Sequence, residues 1–205
     1  MSAETVKGQL QMLWPVTRLG APPAVAVPTG YTVRTYQPLD EPGFYKVMDL
    51  AGFKNWDDET LRPWRLKILP DGWFLIVHEA SGEIVATAMA NHNPQELHPF
   101  GGELGWVAAH PAHAGKGLGM AVCGAVVRRL LAGFYRRCYL KTDDWRLPAV
   151  KVYLRLGWVP FLYLPDMEDR WRAVCEQLQW PFTVASWPRT PDVQLHSSLI
   201  EEGQP

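Results

Sequence analysis

The 205-residue chain sets 20 Lys and Arg against 21 Asp and Glu, for a formal net charge of −1, and is 47% hydrophobic and 20% charged. This is enough chain for one globular domain with a sizeable core, and its charge gives no whole-protein basis for nucleic-acid binding, which rests on clustered positive charge. Three widely spaced cysteines, Cys123, Cys138 and Cys175, contain no Cys-x-x-Cys pair and suggest neither a disulfide framework nor a zinc site. The N-terminus lacks a basic region followed by a long apolar stretch, and nowhere do about 18 apolar residues run together, so a cytoplasmic chain without a membrane partner is expected.

In chain order, Leu10 to Val16 is a short apolar run followed by a passage holding Pro22, Pro23 and Pro28, read as a strand or arm with an extended linker. Tyr31 to Tyr36 alternates as a strand. Asp40 and Pro42 open a helix to about Leu50, and a second helix covers Asp57 to about Leu69 with Pro63 as a kink. Pro70-Asp71-Gly72 is a turn. Trp73 to His78 and Ile84 to Ala90 flank Ala80-Ser81-Gly82-Glu83 as a hairpin. His92 to Gly102 reads as a surface loop, and Leu104 to Ala109 as a buried strand. From Leu118 the apolar positions Ala121, Val122, Ala125, Val126 and Leu130 recur at helical spacing, until Gly133. Cys138 to Leu140 is a strand, Asp144 to Leu156 a helix, and Trp158 to Leu164 a strand. A last helix carries Met167, Trp171, Val174 and Leu178 on one face. The domain division is an N-terminal arm and linker over 1–30, a domain over 31–180 and an extended or disordered tail over 181–205.

The most informative stretch is His113-Ala114-Gly115-Lys116-Gly117-Leu118-Gly119-Met120, where closely spaced glycines meet the start of an apolar helix. Glycine allows positive φ and close approach to the main chain, and the unpaired N–H groups of a first helical turn favour an anion. A Walker-type loop would need Ser or Thr where Gly117 follows Lys116. A Rossmann fingerprint would need its third glycine where Met120 stands and an acidic residue about 20 positions on. Taken alone, the glycines equally suit tight packing of a helix on a strand.

The passage from Leu104 to Gly157, with a strand, Pro111, Gly115-Lys116-Gly117-Leu118-Gly119, a helix, a short strand and Ala149-x-x-x-Tyr153-x-x-x-Gly157-Trp158, resembles the coenzyme A half of the GNAT superfamily of N-acetyltransferases. The resemblance covers about a quarter of the chain through motifs and extends from Tyr31 to Leu164 through the order of elements. It implies an α/β (α+β) fold with a mixed, largely antiparallel twisted sheet of six to seven strands flanked by helices, and acetyl-CoA as cosubstrate without a metal. It also implies that Val107 and Ala109 bind the pantetheine arm and acetyl group, and that Gly115, Lys116, Gly117, Leu118, Gly119 and Met120 cradle the pyrophosphate. Two positions depart from the pattern: Ala114 stands where the family often has Arg or Gln, and Arg146 where it frequently has Asn.

Acetyl transfer to an amine needs a neutral nucleophile, a polarised thioester and a proton for the departing thiolate. Tyr153 shares a helical face with Ala149, and a phenol of pKa about 10 can protonate a thiolate whose thiol has a pKa of about 8.5. Its other reading is a buried aromatic whose hydroxyl meets a backbone carbonyl. Glu103 is the expected base, acting through water, with a solvated strand-end carboxylate as the alternative. Asp143 and Asp144 are placed to receive a substrate amine, although Asp144 also suits a helix N-cap. His110-x-x-His113 lacks a third metal ligand. Among the ten tryptophans, Trp73, Trp106 and Trp158 read as core, while Trp56, Trp145 and Trp171 read as either core or pocket wall. Arg128, Arg129, Arg136 and Arg137 read as a solvated basic cluster or a contact for the 3′-phosphate. The expected activity is N-acetylation of a primary amine on a small molecule or amino-acid-like substrate in a ternary complex. The alternative is a non-catalytic acyl-CoA-binding module. The N-terminal arm and the tryptophan-rich surface are compatible with a homodimer.

Overall fold

The computed structural model describes residues 8–190. Its strands are β1 (Leu10–Leu13), β2 (Tyr31–Thr35), β3 (Ile68–His78), β4 (Ile84–His92), β5 (Gly102–Ala109), β6 (Cys138–Thr142) and β7 (Val159–Phe161), and its helices α1 (Glu41–Leu50), α2 (Asp58–Arg65), α3 (Leu118–Ala132), α4 (Leu147–Leu156) and α5 (Met167–Leu178). One mixed sheet runs in the order β2-β3-β4-β5-β6-β1-β7, parallel at β5–β6 and antiparallel at every other junction. The expected mixed, largely antiparallel sheet is present, with seven strands.

β4 explains the layering. Val85, Ala86, Ala88 and Ala90 join the core built with α3, α4 and α5, whereas Ile84 and Met89 join a second core with α1 and α2. With both faces covered, the strand reads as a nearly continuous apolar run instead of alternating. The α3 stripe predicted from spacing is buried, together with Leu118, Cys123, Gly124 and Val127, because the helix packs on the sheet and also against α4.

Several boundaries differ from the sequence reading. α2 begins where expected, with the Asp57 carboxylate accepting the Thr60 N–H at 2.8 Å, but it ends at Arg65. Ile68 already pairs with Asn91 on β4, and Pro70-Asp71-Gly72 forms an irregularity inside the long β3. The stretch after His92 is not simply surface: His98 is fully buried and meets Gln11 Oε1 at 2.6 Å. α4 starts at Leu147 with Arg146 at its N-cap, so Asp144 does not cap it.

Of the two readings of the first apolar run, strand or arm, the strand is realised, and it lies inside the sheet: β1 lies between β6 and β7, with Leu10 opposite Thr142 and Met12 opposite Pro160, and all four of its residues are buried. Behind it, Arg18 lies over the Trp14 ring and donates to the Leu156 carbonyl at 2.7 Å, tying this segment to the end of α4. Within 181–190, read as extended tail, Trp187 is buried against Trp171 and Phe182. The rest of that tail, 191–205, and the first seven residues lie outside the described residues.

Candidate active site

The site begins where β5 leaves β6. Their parallel ladder holds for three pairs, Gly102–Cys138, Glu103–Tyr139 and Leu104–Leu140. Beyond it the pairing of β5 with β4 slips between Met89–Gly105 and Thr87–Ala108, and Trp106 takes φ +53°. Such a bulge bends and twists its strand, and the space between the diverging strands is open on both sides. A cavity of about 290 Å³ lies on one side, lined by residues including Asn93, Glu103, Trp106 and Asp143. A larger one of about 600 Å³ lies on the other, bordered by Ala109, the glycine loop and the exposed face of α4. Val107, Arg146, Ala149 and Tyr153 line both.

The loop turns backbone donors toward the larger cavity. Gly115 stands at φ +76° and Gly117 at φ +81°, a region in which a Cβ clashes with the following carbonyl. Gly117 caps α3 without a side-chain bond. Among the described residues, no N–H from Gly115 to Met120 meets an acceptor. Gly115, Gly117, Leu118, Gly119 and Met120 line the larger cavity. The Lys116 side chain is directed elsewhere: its Nζ donates to the Tyr31 hydroxyl at 2.9 Å, leaving its backbone in the loop. Ala114 brings only a methyl group to the cavity edge, which leaves the backbone N–H groups as the loop's donors there.

At the junction, Tyr153 is 5% exposed and burial pushes its phenol well above the usual tyrosine value, with Arg146 pulling weakly the other way. Its hydroxyl has no hydrogen-bond partner among the described residues, so the backbone-carbonyl alternative is not realised. Glu103 is 7% exposed and burial raises its carboxyl above the ordinary range, even though Asn93 Nδ2 donates to its Oε2 at 2.6 Å and Lys141 and Lys67 favour the charged form. The solvated strand-end reading of Glu103 therefore fails.

The two aspartates part company. Asp143 lines the smaller cavity and its Oδ2 accepts from Arg146 Nε at 3.2 Å. Asp144 lies outside that lining: Arg170, itself buried, holds it with two bonds of 2.6 and 3.0 Å. It is a structural ion pair, which corrects its assignment to substrate. Arg146 is clamped above the Phe53 and Trp145 rings at 4.1 and 4.3 Å and faces both cavities. The aromatic wall of the smaller cavity comes from Phe53, Trp64 and Trp106. Trp145 instead borders the larger one, and Trp171 is core. Arg129 donates to the Pro70 carbonyl and Arg137 to His98 and the Leu97 carbonyl, so neither lies at the loop.

Sequence reasoning missed Asn93, Trp64 and Trp106 as site residues. Asn93 reaches Glu103 only through the antiparallel register of β4 with β5, and a positive-φ tryptophan leaves no trace in composition. Among the described residues, no group of histidine, cysteine or carboxylate side chains could hold a metal, and no helix is long and apolar enough to cross a membrane.

The profile described as the Acetyltransferase (GNAT) family matches residues 40–158, more than half of the chain. A mycothiol acetyltransferase of Streptomyces bingchenggensis is 31% identical over 150 residues, covering 68% of this chain and 46% of that protein. A second mycothiol acetyltransferase, from Frankia casuarinae, is 28% identical over 182 residues, covering 79% of this chain and 50% of its own length. The chain thus spans about half the length of these relatives. Among solved structures, the GCN5-related N-acetyltransferase of Sphaerobacter thermophilus superposes with a TM-score of 0.54 at 25% identity, covering 75% of this chain and 49% of that one. The chain belongs to the GNAT acetyltransferase family, whose members take the acetyl group from acetyl-CoA.

Proposed function

We propose that this chain acetylates a primary amine on a small molecule or amino-acid-like substrate by direct attack in a ternary complex with acetyl-CoA. The observation that carries this reading is the shared wall of the two cavities, where Val107 and Tyr153 face both. The larger cavity, with its unpaired N–H groups, suits the coenzyme, whose acetyl thioester supplies the reactive carbonyl. The smaller one suits the acceptor.

Each residue then has a task. Asp143 attracts the substrate ammonium, and Arg146 and Lys141 offer positive charge to a carboxylate on the same molecule, which is why an amino-acid-like acceptor fits. Glu103 takes the proton that the amine sheds; its raised pKa makes it a better base than a solvated carboxylate. Tyr153 keeps its proton at neutral pH and delivers it to the sulfur. The same burial that weakens the phenol as an acid also disfavours the thiolate, so the proton transfer is better matched than solution values suggest. Incubation with acetyl-CoA and pooled amines, read by thiol release, tests the assignment. Release above the no-amine rate for one pool supports it, and none from any primary amine refutes it.

A further inference from the structure

Beside the larger cavity, Tyr31, His78, His110, His113 and Lys116 converge, and the geometry points to a site for the 3′-phosphate monoester of the coenzyme, a role that rests on the coenzyme reading above. The ring of His113 stands 5.0 Å from that of His78 and 5.3 Å from that of His110, centroid to centroid. Two stretches supply these rings, the end of β3 and the turn between β5 and α3. His113 also lines the cavity, two residues ahead of the first glycine of the cradle.

The imidazoles are held in place from behind. His113 Nδ1 meets the Tyr31 hydroxyl at 2.8 Å, His78 Nδ1 meets Ser81 Oγ at 2.9 Å, and His110 Nδ1 accepts the Ala112 N–H at 3.1 Å. Among the described residues, none of the three Nε2 atoms has a partner. The bond to Ala112 fixes a tautomer: a neutral His110 must carry its proton on Nε2, which is then a donor. That arrangement suits an anion and opposes a metal, which needs a lone pair there.

The charges around the cluster agree. Lys116 faces it from the loop, 5.5 Å from the centre of the Tyr31 ring. Glu83, across the β3–β4 turn, is committed to Lys46 at 2.6 Å, and Glu79 accepts from Thr32 at 2.7 Å. Burial and repulsion from Lys116, His78 and His110 lower the His113 pKa, with Glu83 opposing them. A dianion would relieve that repulsion. A phosphate monoester brings a charge of about −1.5 to −2 and three acceptor oxygens. Lys151 and Arg155 on α4 also border the cavity, but both are exposed and neither makes a hydrogen bond or ion pair among the described residues. Anchored donors lose less freedom on binding.

Calorimetric Kd values for CoA and 3′-dephospho-CoA test the site. The native chain should prefer CoA by roughly tenfold or more, the scale of one charge-assisted hydrogen bond. The double variant His78→Ala/His110→Ala should bind both nucleotides alike while holding 3′-dephospho-CoA as the native chain does, which also shows that it folds. His113 stays intact because it holds Tyr31. Equal binding of both nucleotides by the native chain overturns the phosphate site and leaves the coenzyme reading standing. So does a preference that survives in the double variant, or one that collapses in Lys151→Ala/Arg155→Ala instead. Failure to bind either nucleotide defeats the coenzyme reading and this site with it.

Discussion

Gly117 and Gly30 form a matched pair. Their φ values are +81° and +82°, and a Cβ added to either meets nothing within 4 Å. Alanine at each position therefore suffers the same left-handed strain, about 1–2 kcal/mol, with no packing contribution. For a domain of this size that lowers Tm by about 2–8 °C. The two differ in place: Gly117 caps α3 inside the cradle, while Gly30 precedes β2 and lines neither cavity. In Gly117→Ala, a methyl group stands among N–H groups that have no protein acceptor. Losing one such bond to a phosphate costs about 1.5–3 kcal/mol, roughly 10- to 150-fold in Kd. Melts and calorimetric titration with CoA should show equal thermal losses in both variants and a binding loss confined to Gly117→Ala. If Gly117→Ala binds CoA like the native chain, or Gly30→Ala loses as much affinity, the cradle is misassigned.

Two further substitutions probe the frame around the site. Because the Glu103 carboxyl has a raised pKa in the folded chain, the native state holds more protons than the unfolded one between about pH 4.3 and that raised value, and stability falls as pH rises through the window. Glu103→Gln should thus match the native chain at about pH 3.5, exceed it in urea melts at about pH 8, and lose turnover; equal stability at both pH values would show that Glu103 is not destabilised by burial. Gly157, at φ +102°, caps α4 where a Cβ would run into the Arg18 guanidinium. Gly157→Ala should cost about 2.5–5 kcal/mol, the sum of backbone strain and the displaced charge-assisted bond from Arg18 to Leu156. In an Arg18→Ala background the cost should fall to the strain alone; an unchanged cost would show that Arg18 does not hold the end of α4.

The half of the chain that carries the glycine loop was legible because its signals are local. Gly115 and Gly117 announce positive φ, the α3 stripe announces its buried face, and Tyr153 follows from helical spacing to Ala149. The smaller cavity was not, because its lining depends on pairing across the sheet. Asn93 becomes the partner of Glu103 only once β4 and β5 are in register, and Trp106 enters the cavity wall through a bulge. Asp143 and Asp144 are adjacent and chemically alike, yet Arg170, 26 residues after Asp144, takes only the second. The place of β1 in the sheet was not legible for a related reason: four apolar residues ahead of a proline-rich passage give no hint that their partners, β6 and β7, lie more than 120 residues away.

Tyr153→Phe tests the central claim most directly, since it removes one oxygen from the point where the cavities meet. With an amine found by the thiol-release screen, the variant should bind CoA as tightly as the native chain while kcat falls by roughly 100-fold or more, the range for a lost general acid. An unchanged kcat would contradict the assignment of Tyr153 as the proton donor to sulfur.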